Sequence, residues 1–152
     1  MISIPTLQPS LFYYKNTPSI ALIPTMTDNT TPNGYVASAN LNSGTAYYAF
    51  DSNLSTYWTP GYVSGPNWIQ LQFPLLRTIT MFQRSNDGAT PTNFIIAGSL
   101  DGVNWNTIFN GINNTSLTIP LTNSTAYQYY RITAQNSTFG TIVFSTIQLY
   151  GY

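Results

Sequence analysis

Apolar and polar side chains alternate in short runs along most of this chain, and the runs are separated by Gly, Pro, Asn and Asp. In Trp68-Ile69-Gln70-Leu71-Gln72-Phe73 the alternation places Ile69, Leu71 and Phe73 on one face of a strand. Thr78-Ile79-Thr80-Met81 repeats the pattern before Arg84, so Ile79 and Met81 are expected in the core. Residues 94–97 run into Ser99-Leu100-Asp101-Gly102, where Asp-Gly is a hairpin turn signal. Further strands are expected over 103–109, 117–121, 127–134 and 142–150, with Ile132, Ile147 and Leu149 facing inward. No window of helical period rises above this background, so no helix longer than about three turns is expected. Short strands broken by turns at regular intervals predict an all-β sandwich or barrel over residues 28–152.

Residues 1–27 have a different texture. They are apolar but interrupted by Pro5, Pro9, Pro18 and Pro24. Proline removes a ladder donor, so a long central strand is excluded there. The segments Leu11-Phe12-Tyr13-Tyr14 and Ile20-Ala21-Leu22-Ile23 are short and sticky. The expectation is an extended N-terminal arm, which either packs over its own domain or docks on a partner subunit. No second domain and no internal repeat is visible.

Composition narrows the function. Of 152 residues 43% are hydrophobic and only 5% charged, which excludes a disordered chain. Lys15, Arg77, Arg84 and Arg131 are scattered and balanced by four acidic residues, so the clustered cations needed for nucleic acid or an anionic membrane surface are missing. No apolar run approaches the roughly 18–20 residues that span a bilayer. Met1-Ile2-Ser3-Ile4-Pro5 lacks the cationic start of a secretion signal, which leads to the expectation of a mature chain or another route outside, such as within a virus particle. With no Cys, His or Glu, general bases reduce to Asp28, Asp51, Asp87 and Asp101. Asp51 and Asp101 sit in turn motifs, and the remaining pair lacks the context of a two-carboxylate glycosidase, so an enzyme is not expected.

Four matches in order, the last in two parts, resemble the discoidin family, also called the factor V/VIII C-terminal domain, of the galactose-binding-like class. Ala49-Phe50-Asp51-Ser52-Asn53-Leu54-Ser55-Thr56-Tyr57-Trp58 is similar to A-F-D-G-N-x-x-T-x-W, and Asn67-Trp68-Ile69-Gln70-Leu71-Gln72-Phe73 to a W-I-Q-I-D-L strand. Ser99-Leu100-Asp101-Gly102-Val103-Asn104-Trp105 resembles S-x-D-G-x-x-W. Tyr130-Arg131-Ile132 and Ile147-Gln148-Leu149-Tyr150-Gly151 resemble Y-x-R-I and the closing E-I-x-L-Y-G. The resemblance covers residues 28–152 and implies a jelly-roll-like sandwich with ligand-binding loops at one end.

It also implies sites. In discoidin-like carbohydrate modules the first segment often binds structural calcium, which on this chain would use Asp51, Asn53 and Thr56 with carbonyls of Tyr48 and Ser145. The family's second carboxylate falls on Thr146, which leaves one carboxylate where a dication prefers two. The competing reading is an Asp-anchored turn. Galactose-binding relatives place a sugar-binding Arg where Arg84 stands, and a guanidinium fork suits vicinal hydroxyls. Asn86 and Asp87 follow as an amide and a carboxylate, although Asn86-Asp87-Gly88 is also ordinary turn chemistry. The family's sugar-binding His is Thr59 here, which departs from plain galactose specificity. Tyr62 and Phe139, in Gly-flanked loops expected at the same end, would supply aromatic faces. Trp58 and Trp105 are expected to serve the fold, and Trp68 to be partly exposed.

These readings converge on a non-catalytic adhesion module, on a virion surface or extracellular. It would recognise glycans as part of a virus or phage particle, and the arm would dock on other particle proteins. Two alternatives stand beside it. One is a structural decoration or fibre protein, homo-oligomeric, making only protein–protein contacts. The other is a carbohydrate-binding module of a secreted enzyme.

Overall fold

The computed structural model describes residues 19–136 and 141–152. Their strands are β1 (Ile20–Ala21), β2 (Val36–Ala39), β3 (Asn67–Arg77), β4 (Ile79–Arg84), β5 (Asn93–Ser99), β6 (Asn106–Gly111), β7 (Thr118–Pro120), β8 (Tyr127–Asn136) and β9 (Ile147–Gly151). They form two sheets, ordered β1-β9-β4-β7 and β2-β3-β8-β5-β6, with antiparallel neighbours throughout. One 3-10 helix covers Ser43–Ala49. The all-β sandwich expected from the alternation is the observed architecture.

The alternation in β3 works as expected: Ile69, Leu71 and Phe73 are fully buried, and the register sets Ile69 beside Ile132 of β8. From the other sheet Ile79, Phe82, Ile147 and Leu149 meet them. Burial of each such side chain stabilises the fold by about 1.5–3 kcal/mol. Met81 departs from expectation and is only half-buried. A bulge between Ile79 and Met81 inserts one residue, so the inward phase passes to Phe82 and then to Arg84.

Two strand boundaries also move. Val103, expected to open a strand, is 77% exposed, and β6 starts at Asn106. The intervening turn is wired by Asp101, whose Oδ1 accepts the N–H groups of Val103 (2.9 Å) and Asn104 (2.8 Å). Those bonds, with the Asn104 side chain, hold the Asp101 carboxyl well below the usual carboxylate range. Gly102 sits at φ +75°, which favours the residue without a Cβ. Of 142–150, only the last part is regular strand. Before Ile147 the chain is tied to Trp58 by an isolated bridge at Phe144.

Trp58 is buried, donates Nε1–H to the Leu41 carbonyl (3.0 Å) and lies near-parallel to Phe144 with ring centroids 6.3 Å apart. Trp68 and Trp105 lie on the outer face of the five-stranded sheet. The Arg131 guanidinium sits between them, 4.0 Å from each ring centroid, and donates to Gln70 Oε1. Trp58 therefore serves the fold, while Trp68 and Trp105 are half-exposed on either side of Arg131.

The arm boundary shifts most. Leu22, Ile23 and Met26 are core residues, where the sequence predicts an arm extending to residue 27. β1 pairs with β9, Leu22 N–H donates to the Leu149 carbonyl (2.8 Å), and the Gln148 side-chain amide both accepts from Ile23 N–H (3.0 Å) and donates to its carbonyl (2.9 Å). Residues 20–26 thus belong to the sandwich, while the apolar cluster at 11–14 lies outside the described residues.

Strand directions define two poles. The β4–β5 loop, the loop before β3 and the segment before β9 share one pole. Ile20, the β3–β4 bend and Tyr152 share the other, where Thr78 and Tyr152 exchange backbone bonds of 2.9 and 3.1 Å.

Candidate functional site

The loop between the 3-10 helix and β3 carries Leu54, Tyr57, Thr59 and Tyr62. Because Trp58 points into the core, its chain neighbours Tyr57 and Thr59 face away from it, and Tyr57 is 52% exposed. Gly61, at φ +83°, turns the chain so that Tyr62 stands at the tip, 88% exposed. The floor is polar and fixed. Thr59 Oγ lies 3.2 Å from Thr141 Oγ and accepts Gly61 N–H (3.1 Å), while Thr141 donates to the Gly61 carbonyl (3.3 Å). Asn67, buried at the start of β3, donates to the Val63 and Gly65 carbonyls and anchors the far side of the loop.

The β4–β5 loop completes the wall. Asp87 Oδ2 accepts from Ser85 Oγ (2.7 Å) and from Ser145 N–H (3.0 Å), and Ser85 Oγ accepts from Thr146 N–H (3.1 Å). Residues 85–87 are thereby fastened to the segment entering β9. Tyr57, Thr59, Tyr62, Asp87 and Thr141 line a cleft of about 490 Å³. A second cleft of about 620 Å³ adjoins it, lined by Gln83, Asn86, Thr146 and Gln148, and shares Leu54 and Asp87 with the first.

The expected ligand residues divide. Thr59, Tyr62 and Asp87 share the first cleft, and Asn86 is exposed in the second. Phe139 lies outside the described residues. The expectation of an exposed Arg84 is corrected: it is 3% exposed at the inward end of β4. Nε donates to the Ser116 carbonyl (3.2 Å), Nη2 to that of Asn114 (2.8 Å) and Nη1 to that of Pro91. Its guanidinium packs 4.5 Å from the centroid of Phe94, not against Tyr62. Burial pulls its pKa down to about 10, which leaves it charged at neutral pH. The physical reason is the bulge that moved Phe82 inward and carried Arg84, two residues on, to the same side.

Three of the residues named for calcium, Asp51, Asn53 and Thr56, are joined in a hydrogen-bonded turn. Asp51 Oδ1 accepts Asn53 N–H (2.9 Å), and Oδ2 accepts Thr56 Oγ–H (2.6 Å). Asn53 Oδ1 accepts Ser55 N–H (3.0 Å), and the Asn53 carbonyl accepts from Thr56 Oγ (3.0 Å). Tyr48 is the last residue but one of the 3-10 helix, just before this turn, with its ring centroid 4.6 Å from that of Tyr47. Ser145 is fastened to Asp87 instead. Among the described residues no three His, Cys, Asp or Glu gather at a metal-binding distance. Asp51→Ala should therefore remove about 1–2 kcal/mol of turn hydrogen bonding and lower the melting temperature by a few degrees. The loss should be equal in EDTA and in millimolar calcium. A wild-type melting point that climbs several degrees with calcium, and a variant that does not respond, would instead establish a structural ion.

Sequence reasoning missed Leu54, Tyr57, Thr141 and Gln148. Tyr57 had a readable signal, since a core Trp58 forces its neighbours outward. The others are brought together only by tertiary contact.

No curated protein matches the chain. Solved structures do. CpGH89CBM32-5 from Clostridium perfringens, in complex with GalNAc-β-1,3-galactose, is 22% identical with a TM-score of 0.65, covering 76% of this chain and 94% of that one. The family 32 carbohydrate-binding module of C. perfringens NanJ, in complex with galactose, is 20% identical with a TM-score of 0.63, over 77% and 93%. Chitosan-binding module 1 from a Paenibacillus chitosanase/glucanase is 21% identical with a TM-score of 0.67, over 78% and 96%. These likenesses establish the fold. The F5/8 type C domain model matches residues 34–144, and on that match the chain belongs to the F5/8 type C, or discoidin, domain family.

Proposed function

We propose that this chain is a non-catalytic carbohydrate-binding module whose ligand occupies the cleft beneath Tyr62. The observation that carries this reading is an aromatic rim, Tyr57 and Tyr62, over a fixed floor of hydroxyls and a carboxylate from Thr59, Thr141 and Asp87. Apolar ring faces of a sugar pack on aromatic side chains while its hydroxyls need directed polar partners, and the cleft offers both. Its volume falls within the ~300–1,000 Å³ range of small-ligand sites. Modules of the same fold that are bound to galactose and GalNAc-β-1,3-galactose support the assignment.

The two poles support a setting in which the module is carried on a larger protein. Ile20 and Tyr152 lie opposite the cleft, so a tether at either leaves the cleft facing outward. Carriage on an extracellular enzyme fits the neighbours, among them a family 89 glycoside hydrolase from C. perfringens, 25% identical, in which the match spans 14% of that chain. The virus-particle setting expected from the sequence gains no support from the fold or its neighbours.

A glycan array probed with wild type and Tyr62→Ala tests the reading. Wild type should retain a defined set of glycans, and the variant should bind them at least tenfold more weakly at an unchanged melting temperature, because an exposed ring contributes to contact rather than to folding. Tenfold corresponds to about 1.4 kcal/mol, within the range of one stacked aromatic contact. An array with no glycan retained by wild type would contradict it.

A further inference from the structure

We propose that the pole opposite the cleft seats the chain's own Leu11-Phe12-Tyr13-Tyr14, on an apolar patch formed by Leu75, Leu76, Ile20 and Tyr152 around Arg77. The proposal does not rest on the carbohydrate reading. It starts from an irregularity in β3. The five steps from Gln72 to Arg77 run opposite only two of β8, from Tyr129 to Tyr127, so the residues between leave the regular ladder. Pro74, Leu75 and Leu76 are all exposed there, Leu75 at 63% and Leu76 at 54%. Ile112 and Leu117 are exposed too, but each stands singly, which is ordinary for a surface. A run of three consecutive exposed apolar residues is ordinary only where something covers it.

A second observation marks the same place. The Arg77 Nε–H is buried and meets no acceptor among the described residues. Buried donors are nearly always paired, so this one calls for an acceptor from outside them. Arg77 follows Leu76 directly, and Thr78 after it exchanges backbone bonds with Tyr152. The leucines, the orphan donor and Tyr152 therefore form one continuous patch.

The chain itself leads to this patch. Ile20 pairs with Gly151 and Gly151 with Ile79, so the chain enters β1 two strands, about 10 Å, from the start of β4. From Ser19 back to Tyr14 is five residues, a reach of up to about 17 Å, which spans that distance. Residues 11–14 are four consecutive aliphatic or aromatic side chains, and the only charged side chain in 1–18 is Lys15. With no carboxylate in the segment, a backbone carbonyl is the group that would meet the Arg77 Nε–H. Attachment also decides between this segment and the same segment of a second copy. A short tether holds it at an effective concentration in the millimolar range, far above that of a second chain in dilute solution.

A spin label tests this on the full chain. The sequence has no cysteine, so Ser10→Cys provides a single attachment point beside the segment. In isotope-labelled chain carrying the nitroxide, the amides of Leu75, Leu76 and Tyr152 should broaden while those of Tyr62 and Asn86 at the cleft stay sharp. In a mixture where only the nitroxide-free chain is isotope-labelled, no broadening is expected. Leu76→Asp, at an exposed position, should keep the melting temperature and remove most of the broadening. Phe12→Ser, in the segment itself, should do the same, and it decides alone if the melting curve shows Leu76→Asp to be misfolded. No broadening at this pole would overturn the proposal, as would broadening that survives substitution in a folded chain, the mark of a slack tether. Broadening in the mixture would overturn it in favour of a second copy.

Discussion

Deleting residues 1–26 should unfold the protein, whereas a chain beginning at residue 19 should keep a cooperative melting transition. The difference lies in eight residues. Leu22, Ile23 and Met26 are 7%, 5% and 1% exposed and belong to the central core. At about 1.5–3 kcal/mol each, their burial amounts to roughly 5–9 kcal/mol, an upper bound because unfolded chains already bury some apolar surface. That is comparable with the whole stability of an ordinary domain, about 5–15 kcal/mol. The deletion also strips β9 of β1, one of its two neighbours, and leaves the Gln148 amide without both of its bonds to Ile23. Circular dichroism melts of the two truncations decide it. A folded chain lacking residues 1–26 would return this segment to the role of a detachable arm.

The second large effect concerns Arg84. Replacement by Met keeps the apolar stem against Phe94 but leaves the carbonyls of Pro91, Asn114 and Ser116 without their donor. A buried group left unpaired costs about 1–3 kcal/mol; the Pro91 carbonyl is buried while Asn114 is half-buried and Ser116 exposed, so a loss of about 2–4 kcal/mol is expected, or roughly 5–10 °C in melting temperature. Arg84→Lys should recover only part of it, since a single ammonium cannot reproduce the planar fork. Denaturant melts of the three proteins measure the effect. If both variants melt like wild type yet fail to bind glycan, Arg84 is a ligand residue after all.

These two outcomes also show where the sequence was legible. The alternation from Trp68 to Phe73 could be read directly because β3 runs through the middle of a sheet with one face on the core. Its three inward residues came out as expected, as did the turn at Asp101-Gly102, which is local chemistry. A bulge is not local in this sense. One inserted residue between Ile79 and Met81 reversed the facing of everything after it in β4. Met81 moved outward, and Arg84, whose type favours the surface, became a buried brace. The inward phase of Phe82, two positions before Arg84, was the one hint available.

Residues 20–26 were hidden for a similar reason. Prolines at 18 and 24 correctly excluded a long central strand, yet a two-residue edge strand and three anchoring side chains need no long strand. The site was half legible. Thr59, Tyr62, Asn86 and Asp87 could be placed because their loops were predicted at one pole. Thr141, Gln148 and Leu54 could not, since what makes them neighbours is the closing of two sheets over one core.

The most direct measurement is a set of amide chemical-shift maps, recorded with the folded protein and a glycan selected from the array. Carbohydrate binding at the cleft pole requires shifts confined to Tyr57, Thr59, Gly61, Tyr62, Asn86 and Thr141. The β3–β4 bend, the Asp101 turn and Tyr152 at the other pole should stay unmoved. Shifts that centre instead on that opposite pole, or on the outer sheet face around Trp68, Arg131 and Trp105, would contradict the assignment of the cleft as the carbohydrate site.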